Sequence, residues 1–120
     1  MEDSKNRIHL QVSNNIITVP IRYELTTPVL ERLKSDLLQF VQESKDTKGV
    51  IFDLNGVKIV GEDEFNMLRK IIQMIDIMGL NVVLCGLAPG IVSTIVDMAI
   101  SIKGLQTALD LNGAHALLAQ

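Results

Sequence analysis

Apolar residues in the middle of the chain change from a continuous run to helical spacing, which predicts a strand followed by a helix. The run Val50-Ile51-Phe52 ends at Asp53-Leu54, as in a strand buried on both faces of a parallel sheet. A turn at Asn55-Gly56 and a short apolar piece, Val57 to Val60, follow. Apolar side chains then recur at steps of three and four and share one helix face: Phe65, Leu68, Ile71, Ile72, Ile75 and Met78.

The segment before this strand predicts a hairpin and a first helix. Apolar and polar residues alternate over residues 8–12, which predicts a half-buried strand, and Ile16 to Val19 predicts its returning antiparallel partner. Thr26 or Thr27 is suited to cap a helix with Pro28 at its first position. The apolar face of that helix is Leu30, Leu33, Leu37, Leu38 and Val41.

The rest of the chain continues the alternation of strands and helices. Gly79 is placed to end the central helix, and Leu80 to Cys85 predicts a second buried strand. The remaining elements are a short helix at Ile91 to Ile100, a short edge strand at Leu105 to Leu109, and a final helix capped by Asp110 or Asn112. Right-handed crossovers make the two buried strands adjacent and parallel.

The fold class that follows is α/β. We expect a single domain over residues 8–120 after a flexible N-terminal tail, residues 1–7. Its mixed sheet should have four to five strands, an N-terminal hairpin followed by parallel strands, and about four flanking helices.

Composition excludes several classes of function. The 120 residues are 48% hydrophobic but only 3% aromatic, so the core must be aliphatic, and the net charge is −3 without a basic stripe. Nucleic acid is therefore not expected as a partner. No apolar run approaches the ~20 residues of a membrane helix, and no signal peptide is visible. The single Cys85 favours a reducing compartment, and we expect a cytoplasmic protein with no membrane contact.

Few residues suggest catalysis. No Ser-His-Asp, Cys-His or paired acid/base arrangement can be identified, Cys85 lies in an apolar strand, and no cofactor is expected. The acidic residues Asp53, Glu62, Asp63 and Glu64 are open to two interpretations. They could bind Mg²⁺, or the last three could stabilise the start of the central helix by about 0.3–1 kcal/mol each. We favour the second, because no Lys or Thr joins them for phosphoryl transfer.

Ser93 and Thr94 are a second open case. They could be ordinary helix residues whose hydroxyls bond back to the main chain. Alternatively, one of them could be a phosphoacceptor near the start of the short helix, where added negative charge is stabilised.

Four motifs in order resemble one family over nearly the full chain. They run from Asp53 to Val57, from Val82 to Pro89, from Thr94 to Met98, and from Thr107 to Leu111. The pattern resembles the STAS domain, the fold of bacterial anti-sigma-factor antagonists. The second and fourth motifs look most like the stressosome subgroup and, within it, the small scaffold subunit.

The resemblance implies a switch position at the start of the central helix. The family places a phosphorylatable Ser or Thr after an Asp there, whereas this chain has Gly61 and Glu62, or Asp63 and Glu64 if the register shifts by two. No Ser, Thr or Tyr occurs between Lys48 and Leu84, which puts the usual phosphoswitch in doubt. The second phosphosite, found in sensor-type paralogues, matches Thr94, with Ser93 beside it.

The function implied by the resemblance is a non-enzymatic regulatory scaffold in partner switching, as an antagonist of an anti-sigma factor or a sequesterer of a kinase-like activator. Its expected partners are copies of itself, paralogous STAS co-antagonists, a serine/threonine switch kinase and that activator. Asn55, Gly56, Met67 and Met74 are the candidate contact residues, although a wide core face would also explain the methionines. The alternative is a small-ligand or nucleotide-binding module, which a basic or aromatic lining near Gly61 and Gly86 would favour.

Overall fold

A five-stranded mixed sheet forms the centre of the computed structural model, which describes residues 8–22, 24–98 and 105–119. The strands are β1 (Gln11–Ser13), β2 (Ile16–Pro20), β3 (Gly49–Asp53), β4 (Asn81–Cys85) and β5 (Gln106–Ala108), and they lie in that order. β1 pairs antiparallel with β2, and all other pairs are parallel. The predicted edge hairpin and the parallel pairing of the two central runs are confirmed.

Four helices flank the sheet in the described part of the chain: α1 (Thr27–Glu43), α2 (Glu62–Ile77), α3 (Pro89–Asp97) and α4 (Leu111–Leu118). Thr26 caps α1, because its hydroxyl oxygen accepts from the Val29 N–H at 3.4 Å. Pro28 is consequently the second helical residue rather than the first. Asp110, not Asn112, caps α4 through a bond of 2.8 Å from the Gly113 N–H. None of these helices is long and apolar enough to cross a membrane.

The core has two unequal layers, because side chains alternate between the faces of a sheet. One face packs against α1, α2 and the start of α3, and its centre holds Val50, Phe52 and Leu84. The predicted buried positions of α2 lie in this layer: Phe65, Leu68, Ile71, Ile72 and Ile75. On the other face, a smaller cluster that includes Ile51 and Cys85 packs against α4.

Two sequence predictions need correction. β1 is only three residues long and fully exposed, with Val12 at 55% exposure, because it is an edge strand; Ile8 and Leu10 pack against the core outside the strand. Met78 is 43% exposed, because α2 ends at Ile77 and Gly79 turns the chain away at φ +92°. The short apolar piece Val57 to Val60 forms a loop. The predicted end of the short helix at Ile100 falls outside the described residues.

Candidate partner-binding surface

The segment from Leu54 to Gly61, here called the β3–α2 loop, begins at the carboxyl ends of the two central strands. Backbone bonds fix its first residues, since the Leu54 N–H donates to the Cys85 carbonyl at 3.0 Å and the Val57 N–H donates to the Leu54 carbonyl at 2.9 Å. The Asp53 carboxylate accepts from the Asn55 N–H at 3.1 Å. These bonds make the turn at Asn55-Gly56 a defined structure.

Two glycines allow this turn to pack closely against its neighbours. A Cβ on Gly56 would overlap the main chain of Arg22, so only glycine fits there. Gly86 has φ +69°, and a Cβ there would lie 3.0 Å from the Asn55 nitrogen and 3.1 Å from an Asp53 carboxylate oxygen. The turn is therefore held between the segment after β2 and the turn after β4.

The second half of the loop has apolar side chains on both its buried and its exposed sides. Val57 and Val60 are buried in the core, whereas Lys58 and Ile59 point to solvent, and Ile59 is 71% exposed. Its exposure on a fixed loop makes Ile59 the apolar residue of this segment to test as a partner contact. Sequence reasoning missed Ile59, because it read Val57 to Val60 as one apolar piece; the polar Lys58 within that piece was the available signal.

The start of α2 follows directly. Gly61 is the N-cap and has no side chain to accept a capping hydrogen bond, and Glu62 and Asp63 are exposed in the first turn. The carboxylate of Glu64, at the third helical position, folds back over the Gly61 Cα. Glu64 is therefore only partly exposed, whereas Glu62 and Asp63 remain accessible.

Among the residues that the structure describes, two grooves at this end of the molecule have neither a basic nor an aromatic lining. The first, about 500 Å³, lies between the starts of α1 and α2 and is bordered by Glu24, Ile59, Gly61 and Glu64. The second, about 290 Å³, contains Asp53, Asn55, Gly86, Leu109, Asp110, Leu111 and Asn112. Gly61 and Gly86 thus border different grooves, and the carboxylates in each would repel the phosphates of a nucleotide.

The acidic residues considered as a magnesium site lie apart, in the two grooves and at the exposed start of α2. Asp53 lines the second groove, and Glu64 lines the first. Across residues 8–22, 24–98 and 105–119, no three Asp, Glu, His or Cys side chains come together as a metal site would need. The arrangement fits helix-start carboxylates.

Cys85 is buried at the end of β4. Burial and, after it, the nearby Asp53 and Asp110 carboxylates raise the pKa of its thiol to about 11. A thiol with such a pKa is protonated at neutral pH and a poor nucleophile. Cys85 therefore contributes to packing rather than to chemistry.

Thr94 lies in the second turn of α3, because that helix begins at Pro89. Its hydroxyl donates to the Gly90 carbonyl at 3.0 Å, the back-bond considered above, and also lies 3.5 Å from the Val60 carbonyl oxygen. The helix dipole would not stabilise a phosphate on Thr94, because the dipole effect is confined to the first turn of a helix. Ser93 is exposed beside it.

The methionines of α2 are only partly exposed. Met67 packs against the core, which fits the wide core face, and Met74 is half-buried, while Ile77 near them is 84% exposed. The structure thus brings Asn55, Gly56, Gly61 and Glu62 together on the β3–α2 loop and the helix start. Met74 and Ile77 lie at the other end of α2.

Comparisons with known proteins agree on one fold. Residues 7–114 match the STAS domain family model. No curated protein matches the sequence. A serine-to-glutamate variant of RsbS from Moorella thermoacetica has 24% identity and a TM-score of 0.82, with coverage of 93% of this chain and 94% of that chain.

Two further solved structures are similar at lower identity. A chain of the stressosome, described as a signal integration and transduction hub, has 22% identity and a TM-score of 0.78 and covers 92% of this chain and 96% of that chain. A candidate anti-sigma factor antagonist from Thermotoga maritima has 10% identity and a TM-score of 0.79, with coverage of 94% and 95%. At these identities the likeness is one of fold. The family match, which spans most of the sequence, establishes that this chain belongs to the STAS domain family.

Proposed function

We propose that this protein is a partner-switching regulatory scaffold that works through protein contacts and without catalysis. The observation that carries the proposal is the fixed β3–α2 loop, which presents Ile59 beside the exposed carboxylates of Glu62 and Asp63. An exposed apolar anchor with charged neighbours is typical of a protein-contact surface. The likeness of fold to RsbS and to a stressosome chain supports the same reading.

The partners we propose are those of a bacterial stress-signalling assembly in the cytoplasm. They are copies of this chain, paralogous STAS co-antagonists, a serine/threonine switch kinase and a kinase-like activator that the assembly sequesters. None of these contacts needs a cofactor.

Glu62 is the residue through which we expect the switch to differ from the family pattern. A phosphoserine carries about −1.5 to −2 charge and three acceptor oxygens, whereas a glutamate carries a single charge on a planar group. Glu62 is exposed at the first position of α2, where the helix dipole favours an anion. It would hold this surface in a partly phosphorylated-like state that does not toggle.

The test is reconstitution with the paralogous STAS co-antagonist and the kinase-like activator of the same source. Sedimentation velocity should show a complex heavier than any component, and an Ile59→Lys variant should reduce its amount. Val12→Lys, at an exposed position on the far edge of the sheet, is the matched control. No heavier species with the parent protein, or equal loss with both variants, would contradict the proposal.

A further inference from the structure

The tetrapeptide Asp-Leu-Asn-Gly occurs twice in the chain, and the structure folds its two copies differently. The first copy, Asp53 to Gly56, starts at the last residue of β3 and forms the turn of the β3–α2 loop. The second copy, Asp110 to Gly113, caps and begins α4. Both copies border the second groove, and Asn55 and Asn112 are both exposed. The two Asn-Gly bonds therefore share their local sequence and their exposure to solvent and differ in backbone conformation.

An Asn-Gly bond is chemically labile, because glycine has no Cβ to hinder its backbone nitrogen. That nitrogen attacks the side-chain amide carbon of the asparagine, a five-membered succinimide closes, and ammonia leaves. One water molecule then opens the ring to give aspartate or isoaspartate, so the net change replaces an amide with a carboxylate. The reaction needs a backbone that can rotate to bring the nitrogen to the amide carbon.

The first copy opposes this rotation less than the second does. Asp53 accepts a hydrogen bond from the backbone N–H of Asn55, and within the described residues no hydrogen bond holds the Asn55 side-chain amide. The attacking nitrogen, that of Gly56, donates to the Ile21 carbonyl at 3.3 Å, which is long for an N–H···O bond. The Asn55-Gly56 bond also lies in a turn, outside any helix or strand ladder.

The second copy opposes the rotation more strongly. The Gly113 nitrogen donates to the Asp110 carboxylate at 2.8 Å, and the Ala114 nitrogen donates to the Asp110 carbonyl at 3.0 Å. Asn112 and Gly113 both lie inside α4. Rotation about the Asn112-Gly113 unit would break this capped turn.

We propose that Asn55 is a site of spontaneous deamidation in the folded protein and that Asn112, in the identical tetrapeptide, reacts more slowly because α4 must open first. The new carboxylate lies in the groove that already holds Asp53 and Asp110, and the net charge changes from −3 to −4, one unit more negative. Isoaspartate also adds a main-chain carbon beside Gly56, where the Arg22 main chain leaves no room even for a Cβ. The modification therefore alters the loop that presents Ile59 and Glu62.

This inference stands independently of the proposed function, and its test needs no partner. The protein is incubated folded at neutral pH and, in parallel, unfolded in urea, and both samples are digested with trypsin. Asn55 falls in the peptide 49–58 and Asn112 in the peptide 104–120, so the two sites are measured separately by mass spectrometry. Electron-transfer fragmentation identifies isoaspartate.

In the folded protein we expect deamidation to accumulate several-fold faster in peptide 49–58 than in peptide 104–120. In urea the two rates should become similar, because the conformational difference is gone. An Asn55→Gln variant should lose most of the acidic species that the parent forms on ion exchange, whereas Asn112→Gln should not. Equal native rates, a faster Asn112, or an unreacted Asn55 over the time in which the unfolded chain reacts would each overturn the assignment.

Discussion

The side-chain hydroxyl of Thr94 on α3 lies 3.5 Å from the carbonyl oxygen of Val60, two residues before Glu62. A Cβ on Gly90 would also overlap the Lys58 carbonyl, so the first turn of α3 packs directly against the β3–α2 loop. The two positions that the family resemblance identifies as switch sites are thus joined through one short segment. We therefore expect a change at either one to act on the same loop.

We expect Thr94 to be the phosphoacceptor when the cognate kinase acts on this protein. An ionised phosphate has no hydrogen to donate, so modified Thr94 would lose its bond to the Gly90 carbonyl and repel the Val60 carbonyl oxygen. Phosphopeptide mapping should find the label on Thr94. Thr94→Val should abolish uptake and Ser93→Ala should leave it unchanged; label confined to a distant hydroxyl such as Ser35 would contradict this.

Replacement of Glu62 by Ser should change affinity for the activator partner and create a site for the switch kinase. The substitution removes one exposed negative charge from the first turn of α2 and restores the hydroxyl of the family pattern. Titration calorimetry of parent and variant against the same partner measures the change. Phosphorylation of the new hydroxyl should return the affinity toward that of the parent.

Asp63→Ser is the matched control for this experiment. It removes the same charge from the same helix turn at an exposed neighbouring position, so it carries the same helix-dipole cost, about 0.3–1 kcal/mol. If Glu62 is only a helix-start carboxylate, the two variants will lose similar stability and bind the partner like the parent.

Gly86→Ala should destabilise the protein more than Gly79→Ala. Both glycines have positive φ, +69° and +92°, and alanine in the left-handed region costs about 1–2 kcal/mol. Nothing lies within 4 Å of a Cβ on Gly79, whereas one on Gly86 meets Asn55 and Asp53, which adds an overpacking cost of about 1–3 kcal/mol. Urea unfolding measures both; equal losses would show that the turn at Asn55 can move aside freely.

Stability should fall as the pH rises above 9, in part because of Cys85. Its folded pKa of about 11 lies above the ordinary value of 9.0, so between these values the folded chain holds a proton that the unfolded chain releases. The stabilisation is complete below pH 9 and is lost progressively toward pH 11, by roughly 2–3 kcal/mol. Cys85→Ala should unfold with a shallower pH dependence in this window. Parallel pH profiles for the two proteins would refute the assignment.

Self-association should depend on the carboxyl end of α2. Ile77 is 84% exposed beside the half-buried Met74, and adaptable methionines suit contact surfaces. Ile77→Lys should weaken oligomers at micromolar concentration and leave the unfolding free energy within about 0.5 kcal/mol of the parent value. Sedimentation velocity measures the first quantity and urea unfolding the second. If the parent protein stays monomeric, both alone and with its paralogues, the carboxyl end of α2 is not a self-association surface.

Much of the fold could be predicted from local sequence, because a strand buried on both faces, such as β3, must be apolar throughout. The amphipathic face of α2 and the Asp110 cap are equally local signals. The contacts of the β3–α2 loop could not be predicted from local sequence. Gly56 packs against Arg22, and Thr94 approaches Val60, across long stretches of sequence. Thr94 was predicted near the helix start because the predicted helix began at Ile91, whereas α3 begins at Pro89.

The unequal covering of the sheet has a consequence for motion. In the described part of the chain, one face packs against α1 and α2, whereas the other is covered by the eight-residue α4 through Ala114 and Leu118. A helix of that length does not persist alone in water, so its detachment is a local opening that need not disturb the larger layer. Amide protons of residues 111–118 should therefore exchange faster than those of β3. Each opening briefly exposes Ile51, Val83 and the Cys85 thiol, which gives a buried cysteine a route to solvent that bypasses global unfolding.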